Sequence, residues 1–251
     1  MAERVYFISD VHLGVPNEKR TEEAHQDALI AFLRHIEPGD QLFIVGDLFD
    51  FWFEYRSSVP TTGARVIFEL YALGQRGVQV VIMPGNHDIW LGSYLRDQVG
   101  LDVQSNPLEM ELQGKKLYIT HGDEFGADWK FRVSRAILKN RFCISLFRLL
   151  HPDLGVALGR RTSQVSDAQS QATPSSDQKV YVTAAEKLIR AGHDFVLCGH
   201  YHTAVDREIL DGRLIVLGNW LRSDTYAVME NGDVRLMKWA GDRGELLVEM
   251  K

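Results

Sequence analysis

Five short clusters in this 251-residue chain carry side chains able to do chemistry: Ser9-Asp10-Val11-His12, Gly46-Asp47-Leu48-Phe49-Asp50, Gly85-Asn86-His87-Asp88, Thr120-His121-Gly122-Asp123 and Gly199-His200-Tyr201-His202. His12, His87, His121, His200 and His202 fall inside them, whereas His25, His35, His151 and His193 sit in helical or loop contexts and are assigned no role. Asp10, His12, Asp47, Asn86, His121, His200 and His202 together supply two carboxylates, four imidazoles and one amide oxygen. Two divalent ions need about eight protein contacts, and a single bridging carboxylate turns seven groups into eight. Asp47, alone on its loop before the Phe-Asp turn, is the natural bridge. Mixed nitrogen and oxygen ligation without thiolate suits Mn²⁺, Fe²⁺ or Zn²⁺ better than Ca²⁺ or a structural zinc site. Two such ions roughly 3.5–4 Å apart generate a hydroxide nucleophile and clamp phosphoryl oxygens. Taken singly, each cluster is ordinary turn vocabulary; what points to a site is their joint occurrence.

The elements around the clusters explain how they would meet. Strand-like apolar runs at Val5–Ser9, Gln41–Val45, Val78–Met83, Lys116–Thr120, Phe195–Cys198 and Leu214–Leu217 alternate with helical patterns at Thr21–Ile36, Gly63–Arg76, Trp129–Leu150 and Lys179–Ala191. Continuous apolar runs of this length suit strands buried on both faces, and their alternation with helices predicts a layered α/β fold. Tyr226–Met229 and Val234–Trp239, with Asn231-Gly232 between them, read as a closing strand meander. Four clusters directly follow a strand run and the fifth follows after one proline. Ligand sites in open α/β sheets lie beyond the carboxyl ends of the strands, so five distant segments converge on one crevice.

One region breaks the rhythm. From Trp129 to Arg161 there are eight bases and a single acid, a local charge of +7 that leaves −13 on the rest of a chain of net charge −6. The run Lys130–Leu150 is apolar on nearly every helical face and reads as two or more cap helices with one face on the body and another on something else. Thr162–Gln178, in which eleven of seventeen residues are Ser, Thr or Gln, reads as a mobile loop. The expectation is a single domain, 1–251, with residues 125–179 forming an inserted helical cap and polar loop. Phe142, Phe147, Leu149 and Leu150 are candidates to line an apolar groove, and the basic residues of the cap are placed to meet an anionic surface or an anionic substrate group such as a pyrophosphate.

Composition sets the outer limits. With 45% hydrophobic and 25% charged residues the chain is an ordinary globular protein, and its length supports a large core without disulfides. Cys143 and Cys198 form no metal or redox pattern and read as reduced thiols. No apolar leader precedes the first strand and no run reaches the 18 apolar residues of a membrane span, so the expected location is cytoplasmic. The acidic body disfavours nucleic acid, and no protein partner is inferable.

The ordered set Asp-x-His, Gly-Asp-x-x-Asp, Gly-Asn-His-Asp, His-Gly-Asp and Gly-His-x-His resembles the calcineurin-like metallophosphoesterase superfamily from Ser9 to Trp220. The resemblance implies a four-layer α/β/β/α sandwich and a dinuclear centre, most simply of Mn²⁺. Asp10, His12 and His202 would hold one ion, Asn86, His121 and His200 the other, and Asp47 would bridge. Gly46-Asp47-Leu48-Phe49-Asp50-Phe51-Trp52, the basic insertion after His121-Gly122-Asp123, and Leu217-Gly218-Asn219-Trp220 are similar to the UDP-2,3-diacylglucosamine diphosphatases of lipid A synthesis. That implies cleavage of a UDP-linked acylated sugar to UMP and the sugar 1-phosphate at the inner face of the cytoplasmic membrane. Asn86, His87, Asp128, Ser163 and His200 would touch substrate. Two departures stand out: His87 occupies a position where many members carry Arg, and the stretch near Ser163 lacks an expected Lys. In the superfamily at large a His at this position protonates the leaving group or stabilises charge on the transferred phosphoryl group, and Asp50 is the carboxylate placed to orient it. A leaving group such as UMP departs as a phosphate and needs little protonation, so His87 would serve mainly as a phosphate donor. The competing expectation is a phosphodiesterase or nucleotide phosphatase acting on a soluble substrate, with the insertion a simple lid.

Overall fold

Strands β1 (Val5–Ile8), β2 (Gln41–Val45) and β3 (Gln79–Met83) are buried almost end to end, and each pairs in parallel with the next. The computed structural model describes residues 3–15, 20–159, 161, 174–241 and 243–247. β4 (Asp102–Val103) extends the parallel set, while β10 (Thr225–Glu230), β11 (Asp233–Trp239) and β12 (Gly244–Leu246) add antiparallel strands on the other side. The resulting seven-stranded sheet runs β12-β11-β10-β1-β2-β3-β4. A second sheet runs β5-β6-β7-β9-β8, from β5 (Leu108–Leu112), β6 (Lys115–Thr120), β7 (Phe195–Cys198), β8 (Val205–Ile209) and β9 (Gly212–Val216). Its centre, β6-β7-β9, is parallel and its two edges are antiparallel.

Side chains alternate between the two faces of a strand, and that alternation builds the layers. Phe7, Phe43, Val45, Val81 and Met83 from the first sheet pack against Leu117, Ile119, Phe195, Leu197 and Ile215 from the second. Their neighbours Tyr6, Ile8, Leu42, Ile44 and Ile82 face the other way, onto α1 (Glu22–His35) and α2 (Ala64–Gln75). On the far side, Val196, Cys198, Leu214 and Val216 meet Tyr181, Ala185 and Ile189 of α7 (Pro174–Arg190). The order helix, sheet, sheet, helix is the four-layer sandwich that the resemblance implies. α1 shows how the sequence specifies one such helix. Thr21 Oγ1 accepts from Ala24 N at 3.2 Å, Glu22 and Glu23 open the first turn, and Arg34 and His35 close the last, all complementary to the helix dipole. Its buried stripe is His25, Leu29, Phe32 and Leu33.

Between β6 and α7 the chain forms α4 (Trp129–Leu138), α5 (Arg141–Phe147) and α6 (Pro152–Gly159), after the single-turn helix α3 (Tyr94–Asp97) earlier in the chain. The apolar run beginning at Trp129 breaks at Lys139, because the Asn140 side chain accepts from Phe142 N at 2.8 Å and starts a new helix. Trp129, Val133 and Ile137 are exposed along α4, Phe142 and Leu146 along α5, and Leu154 and Leu158 along α6. Phe147 is the exception, packing its ring against Phe51, Phe53 and Trp90 of the body. Trp90 Nε1 also donates to Leu138 O at 2.8 Å and ties the end of α4 down.

Two expectations need correction here. The polar stretch Thr162–Gln178 is not loop throughout, since α7 starts at Pro174 and its first turn takes the last five of those residues. Phe142, Leu149 and Leu150 are exposed on the outside of the cap, so of the four candidate groove residues only Phe147 turns inward. Four strands carried no recognised signal: β4 and β12 are very short, and β5 and β8 are edges with polar alternate residues. The short helix α8 (Trp220–Ser223) completes the description.

Candidate metal centre

The loops after β1, β2 and β3 deliver Asp10, His12, Asp47 and Asn86 from the first sheet, and those after β6 and β7 deliver His121, His200 and His202 from the second. Ligand atoms of Asp10, His12 and His202 form one group within 4.8 Å of one another, and those of Asp47, His121 and His200 form another. Asp47 also groups with His12 and His87, so it stands between the two sets. His202 Nε2 lies 3.1 Å from Asp10 Oδ1, and His121 Nε2 lies 3.1 Å from Asp47 Oδ2 and 3.0 Å from Asn86 Oδ1. His12 Nε2 is 3.7 Å from Asp10 and 4.0 Å from Asp47. All seven sequence-derived ligands therefore meet at one place.

The backbone is shaped to put them there. Asp10, His12, Asp47, His200 and His202 all adopt left-handed conformations, with φ between 50° and 64°. Few residues other than glycine do so, at a cost of order 1–3 kcal/mol each, and such strain gathers at functional sites. Supporting hydrogen bonds hold the turns. Asp88 accepts from the backbone N–H groups of Asp47, Leu48, Phe49 and Gly85 at 2.8–3.3 Å, fixing the Asp47 loop to its neighbour. Burial and the nearby Asp47 charge push the Asp88 carboxyl up to about 6, against those four donors. Asn106 Oδ1 accepts from His121 N at 3.1 Å. The N-terminal amides of α8 donate to Ser9 O and Asp10 O, both at 3.2 Å. Two glycines are demanded by close approach: a Cβ at Gly85 would strike the Asp47 carboxylate, and one at Gly199 would strike Ser9 and Asp10.

Electrostatics shows what the cluster suits. Burial alone would raise the carboxyls of Asp10 and Asp47, but the facing imidazoles hold both well below the usual carboxylate range, His202 and His12 for Asp10, and His121 and His87 for Asp47. Burial alone would lower His121, yet the charges of Asp47 and Asp10 lift it to about 9. Desolvation pulls His200 down to about 3, and the facing His121 adds to the fall. His121 Nδ1 must donate to Val45 O, 3.1 Å away, which leaves Nε2 as its ligand atom. Among the described residues, both ring nitrogens of His12 are buried without a hydrogen bond of good geometry. Buried polar atoms of this kind are expensive unless something completes them. Oxygen and imidazole donors without thiolate fit a divalent cation. The cluster is a divalent metal centre.

Beside it, His87 turns Nδ1 toward Asp50 Oδ1 at 3.5 Å and Nε2 toward Asp47 Oδ2 at 3.9 Å. Its backbone N–H donates to Asp47 Oδ1 at 2.9 Å. Asp50, Asn86 and His87 form the polar floor of a cleft of about 270 Å³, whose walls are Phe51, Ile89, Trp90 and, from the cap, Phe131, Ser134, Arg135, Leu138 and Gly159. Asp128 is not part of that lining; its Oδ1 accepts from Phe131 N at 2.8 Å and caps α4. Ser163 lies outside the described residues. The sequence assigns no role to Asp88 or Asn106, and assigns Arg135 one only in common with the other bases of the cap. Asp88 sits in the Gly-Asn-His-Asp cluster, where a carboxylate next to a turn is the signal for an Asx-type anchor. Arg135 is one of eight bases in its segment, and nothing but burial sets it apart.

The calcineurin-like phosphoesterase family matches residues 3–204. The chain belongs to that family. It is a metal-dependent hydrolase. Among curated relatives it is 31% identical to a UDP-2,3-diacylglucosamine hydrolase of Porphyromonas gingivalis, covering 92% of this chain and 95% of that one. It is 32% identical to the protein of that name in Nitrosococcus oceani, over 86% and 87%, and 30% identical to the one in Aeromonas hydrophila, over 93% and 98%. A solved archaeal phosphodiesterase aligns with a TM-score of 0.46 and 14% identity, over 93% of this chain and 98% of that one.

Proposed function

We propose that this phosphoesterase hydrolyses the diphosphate of UDP-2,3-diacylglucosamine to UMP and 2,3-diacylglucosamine 1-phosphate, a step of lipid A synthesis, with two divalent ions at its centre. Mn²⁺ is the first choice of metal, ahead of Fe²⁺ and Zn²⁺. The observation that carries the reading is the cleft, where a polar floor of Asp50, Asn86 and His87 adjoins the centre and an apolar wall rises into the cap. A substrate with a diphosphate at one end and acyl chains at the other has that division of chemistry. The names of the relatives that align over nearly the whole chain support the same substrate.

Asp10, His12 and His202 would hold one ion, Asn86, His121 and His200 the other, and Asp47, shared between the clusters, would bridge them. When bound, the ions lower the pKa of water and polarise phosphoryl oxygens. His87 donates from its imidazole to a phosphoryl oxygen while Asp50 fixes the ring, a role that needs no full proton transfer when the leaving group is itself a phosphate. Asn86 and His200 adjoin the same oxygens. A cleft of about 270 Å³ is just below the range for small-molecule sites, about 300–1,000 Å³, and so holds only part of the substrate. It takes the diphosphate and sugar, and the acyl chains run out over the cap.

The cap carries this enzyme to its substrate. Exposed Trp129, Val133, Ile137, Phe142, Leu146 and Leu149 alternate with Lys130, Arg132, Lys139, Arg141 and Arg148. That is the composition of an interfacial surface, apolar side chains entering the acyl boundary and cations meeting anionic headgroups. Among the described residues no single helix is long and apolar enough to cross a membrane. On this reading the enzyme works in the cytoplasm, held peripherally by the cap's apolar and basic side chains on the inner face of the cytoplasmic membrane. The test is turnover of UDP-2,3-diacylglucosamine beside UDP-glucose and an aryl phosphodiester, with Mn²⁺ added. Strong preference for the diacyl substrate is expected. Equal turnover of the soluble substrates would overturn the reading and leave a soluble phosphodiesterase.

A further inference from the structure

Arg135 is the one residue of α4 whose side chain is buried, only 7% exposed on a helix that otherwise shows Trp129, Val133 and Ile137 to solvent. It lines the same cleft as Asp50, Asn86 and His87, and it is the only Lys or Arg among the described residues that do so. Its guanidinium forms an ion pair with buried Asp123 and stands 3.5 Å from Glu124 Oε1. All three of its nitrogens are buried, and among the described residues none makes a hydrogen bond of good geometry. Guanidinium carries five N–H donors in a planar fork, so a buried one held only by charge has donor capacity to spare. A residue serving only to fasten the cap would do so at less desolvation cost as an apolar side chain.

We propose that Arg135 is the binding residue for the second phosphate of a diphosphate substrate, the one that does not lie on the metal centre. This rests on the diphosphatase reading and extends it to the residue that distinguishes two linked phosphates from one. Asp123, two residues beyond His121, aims the fork, and the substrate phosphate supplies the oxygens that the fork fits in bidentate fashion. When water attacks the phosphorus at the centre, the bond from that phosphorus to the bridging oxygen breaks. The oxygen leaves with the electron pair on the second phosphate, and the Arg135 N–H groups meet the charge that develops there.

The experiment compares Arg135→Gln with wild type in the metal-loaded enzyme, on UDP-2,3-diacylglucosamine and on an aryl phosphodiester, which has a single phosphorus. The loss in kcat/KM on the diphosphate is expected to exceed the loss on the phosphodiester by about thirtyfold or more. Inorganic pyrophosphate and inorganic phosphate are then tested as inhibitors of phosphodiester hydrolysis. The inhibition constant for pyrophosphate should rise at least about tenfold more than that for phosphate. Equal losses on both substrates and equal changes in both inhibition constants would show that Arg135 only fastens the cap, and would overturn the proposal. If Arg135→Gln leaves Asp123 buried without its partner and fails to fold, the pair D123N/R135Q removes both charges and must show the same split. Should the wild type leave UDP-2,3-diacylglucosamine intact, the diphosphatase reading falls, and the pyrophosphate competition still decides Arg135.

Discussion

The body that holds the metal centre and the cap beside it are built on opposite terms. On the body side Asp10, His12, Asp47 and His121 are each 1% exposed or less, and five loops lock them through left-handed turns, four amides on Asp88 and the amides of α8. On the cap side Trp129, Phe142 and Leu149 are 70%, 75% and 81% exposed, with two short helices joined by a side-chain cap. The contrast separates two requirements. Metal ligation tolerates displacements of only a few tenths of an ångström, so its residues are over-determined by their surroundings. Contact with fluid acyl chains and headgroups requires apolar area and charge in the right region, without fixed positions. Damage to the metal-binding loops should therefore appear in kcat on every substrate, and damage to the exposed apolar face of the cap in KM on the lipid alone.

The strongest way to break that division is at the bridge. Asp47→Ala should abolish retention of both ions and lower kcat by several orders of magnitude on lipid and soluble substrates alike, read by metal analysis of the dialysed protein and by turnover. Two ions still held tightly would mean that the centre has no shared carboxylate. His87→Ala should cost roughly 2–4 kcal/mol in kcat while metal content stays at the wild-type level. His87→Arg should recover part of that loss on a diphosphate, because guanidinium also donates to phosphate oxygens. An Arg variant no better than Ala would point to true proton transfer. For the cap, Phe142→Glu with Leu149→Glu should release the protein from anionic vesicles and raise KM for the diacyl substrate by about tenfold or more. Turnover of an aryl phosphodiester by that variant should match wild type. A vesicle affinity that survives the double change would remove the membrane role from this face.

The smallest effect tests the body's packing rather than its chemistry. His25 is fully buried; its Nε2 donates to Val11 O at 2.9 Å and its Nδ1 accepts from Arg20 at 2.8 Å. The bond from Arg20 requires the neutral ring, and burial lowers the ring from the ordinary 6.5 to about 4, with the Arg20 charge adding to the fall and the Val11 bond opposing it. Between those values the unfolded chain takes a proton that the folded chain refuses. The stabilisation from His25 is therefore complete above pH 6.5 and lost as pH falls toward 4, on the order of 3 kcal/mol. Denaturation of wild type and H25Q from pH 7 to 4 should give curves that converge toward the acid end. Parallel curves would show that the ring is charged in the fold.

How far the sequence reveals all this follows the same division. The body was legible because each ligand cluster ends a buried apolar strand, so local pattern and long-range position agree. The cap was legible in composition but not in geometry. Its eight bases look alike along the chain, and only packing shows that Arg135 turns inward while Arg132 and Lys139 stay out. The groove residues were misjudged because a helix apolar on every face does not say which face meets the body. Edge strands β5 and β8 escaped for a related reason: with one partner and one wet face, sequences such as Val-Asp-Arg-Glu-Ile carry charge where central strands carry valine.

The centre draws its ligands from both sheets, which gives it a mechanical consequence. Asp10 and His202 are 192 residues apart in sequence, and the ion they would share would fasten one end of the inter-sheet core as a cross-link does. At the opposite end the sheets are pinned by Gln113, which donates to Glu3 O and accepts from Gly232 N, both at 2.8 Å. Chelation would release the first fastening and leave the second, so the sandwich would breathe like a book held at its spine. Amide hydrogen exchange should then accelerate at the carboxyl ends of β1, β2, β6 and β7, near Ile8, Val45, Thr120 and Cys198, before their amino ends respond.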